Sequence, residues 1–213
     1  LYGQRRRRVP SLTLITGTGA DTLDVSGLDP AFAGALLQYS GGVLTATLRQ
    51  VADNIAFAMS PSFSGGGVIL DVTLDGGHVQ TLGSDGGGVQ EVHVFGRGGA
   101  DAITMAVVLP AEIVVEIDGG AGTDTLTGAN DAPADNLEWE ITGVGSGSAM
   151  GITAFSGIEN LRGGTGNDRF VLRSGGAISG SIDGGNGGAL GVDSLVGPDA
   201  DNLWLVDGAN AGS

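Results

Sequence analysis

A short pattern of glycine and aspartate returns along this chain, and it restricts the fold more than any other feature of the sequence. Ile117 to Leu126 reads IDGGAGTDTL, Leu161 to Phe170 reads LRGGTGNDRF, Val94 to Ile103 reads VFGRGGADAI and Ile15 to Leu23 reads ITGTGADTL. A fifth copy, Ile182 to Leu195, carries four extra residues inside its glycine run. Each copy enters on an apolar residue, turns through glycines, and leaves through an aspartate and a second apolar residue. Asp101 to Asp124 is 23 residues, Asp124 to Asp168 is 44 and Gly163 to Gly184 is 21, so the copies fall near one step or a multiple of it. The copy absent from that series is placed at Ile141 to Ser148, ITGVGSGS, which keeps the glycines and has lost the aspartate. A longer repeat overlies the step: the run from Asp118, DGGAGTDTLTGANDAPADNLEWEITG, returns in edited form from Asp183, 65 residues later.

Between the corners the apolar stretches are short. VQEVHV, AITMAVVL and AEIVVEI, starting at Val89, Ala102 and Ala111, alternate as strands do and lack helical period. Only PAFAGALL, Pro30 to Leu37, reads as a helical turn. Glycine is 42 of 213 residues, but proline is only 6 and apolar residues are 41%, which excludes a glycine-rich linker and favours tight corners between apolar strands. Stacking the copies one step apart creates two apolar columns. One holds Val94, Ile117, Ile141, Leu161 and Ile182; the other holds Ile103, Leu126, Phe170 and Leu195. No single rung can bury its apolar face alone, so neighbours must cover it. The expected fold is all-β, a right-handed parallel β-helix or β-solenoid with about 20–24 residues per rung. Residues 1–10 read as a flexible basic arm, 11–88 as its irregular N-terminal part and 89–213 as its regular repeats.

The charge balance narrows the partners. The net charge is -15, and with four of the nine arginines gathered at Arg5 to Arg8 the remainder carries 24 acids against 5 arginines, or -19. Such a surface does not bind nucleic acid, because it offers no cations to replace counterions on phosphate. No apolar run reaches the ~20 residues of a membrane span. There is no cysteine, so stiffness has to come from stacking or from bound metal. The start at Leu1 and the end inside a repeat lead to the expectation of a processed subunit or a piece of a longer chain.

At the corners the sequence resembles the hemolysin-type calcium-binding repeat of repeats-in-toxin proteins, GGxGxDxU with U a large apolar residue. Gly119, Gly120, Gly122, Asp124 and Leu126 match every defined position, as do Gly163, Gly164, Gly166, Asp168 and Phe170. The elements ADN plus an apolar residue, at Ala134 and Ala200, and FSGIENLRGG, at Phe155, look like repeats of large bacterial surface and adhesin-like proteins. The resemblance implies an extracellular or cell-surface location and Ca2+ at the corners. It carries the metal-ligating role to Asp101, Gly119, Gly120, Gly122 and Asp124, and to Gly163, Gly164, Gly166 and Asp168. Glycine corners that aim carbonyls inward, with a carboxylate added, suit a hard cation needing six to eight oxygens. The chain departs from the family in having one corner per rung of about 22 residues instead of tandem nonapeptides. A complete site therefore needs Asp101 beside Asp124, or a partner for Asp168 across the rung that lacks an aspartate.

Two other readings compete. An aspartate after a glycine corner can bond backbone amides and hold the turn with no metal. Glu138 and Glu140 flank Trp139 on one strand, as a polysaccharide-cleaving carboxylate pair would, yet the repeat replaces them with Leu203 and Leu205 around Trp204. His78 and His93 have no metal-ligand or catalytic spacing. The sequence thus leads to a non-enzymatic structural fibre or adhesin region that self-associates end to end, with carbohydrate or cell-surface contacts. The alternatives are a calcium-dependent secretion or binding module and, third, a polysaccharide-modifying enzyme.

Overall fold

The computed structural model describes residues 12–15, 36–40, 42–48, 51–59, 68, 70–75, 78–82, 88–130, 137–186 and 192–198. They form strands and no helix. The first part holds β1 (Leu12–Ile15), β2 (Leu36–Ser40), β3 (Val43–Thr47), β4 (Asn54–Met59), β5 (Leu70–Leu74) and β6 (His78–Leu82). Next come β7 (Glu91–Phe95), β8 (Gly98–Gly99), β9 (Ala102–Met105), β10 (Val114–Asp118), β11 (Ala121–Gly122) and β12 (Thr125–Thr127). The remainder holds β13 (Glu138–Gly143), β14 (Ser146–Ala149), β15 (Ile152–Ser156), β16 (Asn160–Thr165), β17 (Arg169–Leu172), β18 (Ile182–Asn186) and β19 (Ser194–Val196). The turn expected over Pro30 to Leu37 gives way to β2 at Leu36 and Leu37, and its other residues lie outside the described set, as do residues 1–10. Among the described residues no helix is long and apolar enough to cross a membrane.

Two sheets organise the chain. The first runs β1-β2-β3-β7-β10-β15-β14-β13-β17-β19 and the second β18-β16-β12-β9-β4-β5-β6. From β7 onward the chain alternates between them: β7, β10, β13 to β15, β17 and β19 in one, and β9, β12, β16 and β18 in the other. Most joints are parallel, including β3-β7-β10-β15 and β4-β9-β12-β16-β18. Parallel strands require a crossover between them, and β9 of the second sheet lies in the connection from β7 to β10, as β10 of the first lies in that from β9 to β12.

Alternation along each strand decides what is buried. In β7, Val92 and Val94 are buried and His93 is half-buried; in β10, Val115 and Ile117 are buried and Glu116 is exposed. Register stacks these into columns. Ala46, Val94, Ile117 and Phe155 lie in line in the first sheet, and Ile55, Ile103, Leu126, Leu161 and Ile182 in the second. Residues of both sheets join one hydrophobic core. Each fully buried aliphatic side chain contributes roughly 1.5–3 kcal/mol, so the core is the main source of stability.

The expected columns break at one place. Ile117 is followed by Phe155 and not by Ile141, which sits opposite Leu172 on β17. Leu161 belongs to the second sheet, opposite Leu126, while Phe170 pairs with Trp139 and Leu195. The cause is an antiparallel meander, β13-β14-β15, inserted into the first sheet. The stretch read as a corner without its aspartate is a hairpin turn: Gly143 pairs with Ser146 around Val144 and Gly145, and Gly145 has φ +58. That left-handed residue suits a tight reversal, which glycine adopts without steric cost. After the meander the corners run in the opposite sense between the sheets. Those at Gly96 and Gly119 lead from the first sheet to the second, whereas those at Gly163 and Gly184 lead from the second to the first.

Candidate functional site: the glycine–aspartate corners

The acid of each corner sits one residue before a strand. Asp53, Asp101, Asp124 and Glu159 precede β4, β9, β12 and β16, which are consecutive neighbours in the second sheet. Their positions are therefore stacked, and each acid reaches back one rung. Asp101 Oδ1 accepts the Asp53 amide at 2.8 Å, Asp124 Oδ1 accepts the Asp101 amide at 2.8 Å, and Glu159 Oε2 accepts the Asp124 amide at 2.8 Å. The backbone continues the ladder beside them, Ala102 N to Asp53 O at 2.8 Å and Thr125 N to Asp101 O at 2.8 Å. Asp53, Asp101 and Asp124 are all buried, Asp124 completely.

The other carboxylate oxygen explains the glycine. A Cβ placed on Gly96 would lie 2.8 Å from Asp101 Oδ2, and one on Gly119 would lie 2.9 Å from Asp124 Oδ2. At Gly163 the clash with Asp168 Oδ2 is closer still. The aspartate thus folds back over the glycine five positions earlier and fills the space its missing side chain leaves. The same glycines face the backbone of the next rung, with Gly119 O against Gly96 and Gly157 O against Gly119. The corner bases also pair, as Ala121 and Gly122 of β11 lie beside Gly98 and Gly99 of β8. The glycines permit backbone to stack directly on backbone.

A second, shorter stack lies where the chain returns to the first sheet. Leu137, Asp168 and Asp193 precede β13, β17 and β19, and Asp193 Oδ1 accepts the Asp168 amide at 2.9 Å. Asp168 is 1% exposed, and among the described residues neither of its carboxylate oxygens has a hydrogen-bond partner. Burial, with the charge of Asp193 added, pushes this carboxyl up to about 6; the nearby Leu137 amide opposes the shift without closing a bond. Asp124 is also raised, by burial first; the Asp101 amide opposes this, while Glu159 and Asp118 add to it.

The residues read as metal ligands therefore divide. Asp101, Gly119, Gly120, Gly122 and Asp124 come together in adjacent corners, as a shared site requires. Gly163, Gly164, Gly166 and Asp168 lie at a different corner, where the partner of Asp168 is Asp193. Asp53, Glu159 and Asp193 were missed. Their signal is an acid two residues before an inward apolar side chain, as in Asp53-Asn-Ile55 and Glu159-Asn-Leu161.

In these corners one oxygen of Asp124 accepts the Asp101 amide, and the other is buried against Gly119 with no hydrogen-bond partner among the described residues. The carbonyls of Arg97, Asp101 and Asp118 point along the stack to the amides of Ala121, Thr125 and Gly96. Among the described residues no group of three or more His, Asp or Glu side chains gathers as a metal site.

The Glu138 and Glu140 pair stands in an ion-pair row. Arg169 Nη1 donates to Glu138 at 2.8 Å, and Arg173 pairs with Glu140. Trp139 between them points inward, 0% exposed, stacked on Phe170 at 5.7 Å and edge-on to Phe155 at 6.1 Å. It is no platform for a sugar. A cleft of about 560 Å³ beside Leu137, Met150 and Val192 has the Glu138–Arg169 pair in its wall. Compared with family models, curated proteins and solved structures, the chain has no match in any of the three.

Proposed function

We propose that this chain is a rod-forming region of an extracellular bacterial surface protein, wound as a right-handed parallel β-solenoid, whose work is mechanical and adhesive. The observation that carries the reading is the continuity of the inward column from Ile55 through Ile103, Leu126 and Leu161 to Ile182 across five strands. Such a column lengthens one rung at a time without changing its cross-section, as a fibre requires. The two sides of the stack differ. Antiparallel neighbours, β2 with β3 and β4-β5-β6, lie on one side, and parallel β18 and β19 on the other. On that second side Leu195, which continues the column of Trp139 and Phe170, is 45% exposed among the described residues. Among the described residues that apolar column ends at an exposed side chain on a parallel edge strand, which favours self-association there. The likeness of the corners to repeats of large surface proteins supplies the location. Small-angle scattering at rising concentration tests the reading: an elongated particle that lengthens at constant cross-section supports it, and a compact particle of fixed size overturns it.

A second reading, a calcium-dependent secretion or binding module, draws support from Asp168, whose two buried oxygens have no hydrogen-bond partner. Calcium there would raise the melting temperature by mass action, and a chelator would remove the increment.

A further inference from the structure

We propose that the stack of Asp53, Asp101, Asp124 and Glu159 is a metal-independent spine, in which each acid after Asp53 bonds the rung before it. This inference rests on the corner geometry alone and stands whether or not the chain forms a fibre. Three bonds of 2.8 Å run in the same sense, each from a backbone amide to the acid of the following rung. A buried amide is a strong donor, and its bond to an ionised oxygen is about twice as strong as one between neutral groups. That bond offsets part of the repulsion between acids one rung apart, which a cation would otherwise have to neutralise.

Glu159 gives independent support. Its rung lacks the glycine–aspartate motif, reading SGIENL, and its chain enters the corner from β15 after the meander. A longer side chain from a different backbone path still delivers an oxygen to the Asp124 amide at 2.8 Å. The shared feature is the delivered oxygen, not the loop that a cation-binding corner requires. A calcium ion needs six to eight oxygens at about 2.3–2.6 Å. Here one oxygen of Asp124 is already bonded to an amide, and the carbonyls of Arg97, Asp101 and Asp118 are bonded along the stack. The arrangement allows these rungs to close without calcium.

The test uses the full chain, with melting in calcium and in chelator for wild type, Asp124→Asn and Asp124→Ala, and amide exchange read at Asp101. Asn keeps the accepting oxygen, so Asp124→Asn should melt within about 2 °C of wild type and keep the Asp101 amide protected. Asp124→Ala should lower the melting temperature by about 5 °C and speed exchange at Asp101 by about tenfold. Any calcium response should be equal in wild type and Asp124→Asn. A calcium response abolished by Asp124→Asn overturns the proposal, as does unchanged Asp101 protection in Asp124→Ala. If Asp124→Ala does not fold, Glu159→Gln and Glu159→Ala provide the same comparison at the less buried end, read at the Asp124 amide: protection kept by Gln and lost by Ala supports the spine, and no difference overturns it.

Discussion

Replacing Asp168 with asparagine should make the protein more stable at neutral and alkaline pH. The carboxyl is 1% exposed, has no hydrogen-bond partner on either oxygen, faces Asp193, and is raised from 3.8 to about 6. The folded state therefore holds this proton more tightly than the unfolded chain does. Its stabilising contribution is complete below about pH 3.8 and is lost as pH rises through about 6. A shift of roughly two units corresponds to about 3 kcal/mol at most, and relaxation with water entry reduces that to about 1–2 kcal/mol. Asparagine has nearly the same shape and no charge to desolvate. For a chain of this size, Asp168→Asn should melt about 3–6 °C above wild type at pH 8 and level with it at pH 4. Calorimetric melts of both proteins from pH 4 to 8, in chelator, measure the difference directly. Other titrating groups cancel between the pair. A variant less stable than wild type at pH 8 would refute the reasoning, and a loss appearing only with calcium present would place a cation at this corner.

Four further outcomes follow from the packing and from the ion pairs. Gly122→Ala should prevent folding or lower the melting temperature by more than about 10 °C, because φ is +147 and a Cβ would overlap the Gly99 carbonyl. Gly175→Ala, at φ +85 with nothing within 4 Å of its Cβ, should cost only about 1–2 kcal/mol of strain in the same melts. Trp139→Ala should lose about 3–5 kcal/mol in denaturant titration, and Trp139→Phe much less, since the buried indole N–H has no hydrogen-bond partner to forfeit. Glu138→Gln should change stability by less than about 1 kcal/mol, with the difference shrinking in high salt, because its ion pair with Arg169 is half exposed.

Much of the local structure is legible in the sequence. NIAFAM places Ile55 and Phe57 inward and becomes β4 over the same six positions, and glycines of the corners take positive φ, among them Gly99, Gly120, Gly122 and Gly164. The pairing of Asp101 with Asp124 follows from their spacing of one rung. What the sequence hid was the meander. ITGVGSGS has the apolar entry and the glycines of a corner, and a hairpin turn uses the same residues for the same conformational reason. Only long-range pairing separates the two, since Ile141 faces Gly147 across the hairpin and Leu172 on its other side. One such insertion moves Leu161 to the opposite sheet while leaving its sequence context unchanged. The acids at Asp53 and Glu159 are hidden differently: they keep the spacing to the inward apolar residue and lack the glycine motif that marks Asp101 and Asp124.

Cross-linking tests the pairing around the meander most directly, because the chain has no cysteine of its own. Thr127 and Arg162 are neighbours in β12 and β16, within reach of a disulfide. Thr125 and Ala149 would be neighbours only if Ile141 to Ser148 formed a corner like the others, whereas here they lie in different sheets. Thr127→Cys with Arg162→Cys should oxidise rapidly to an intramolecular bond under native conditions, while Thr125→Cys with Ala149→Cys should stay reduced. The opposite result, a bond in the second pair and none in the first, would contradict this pairing.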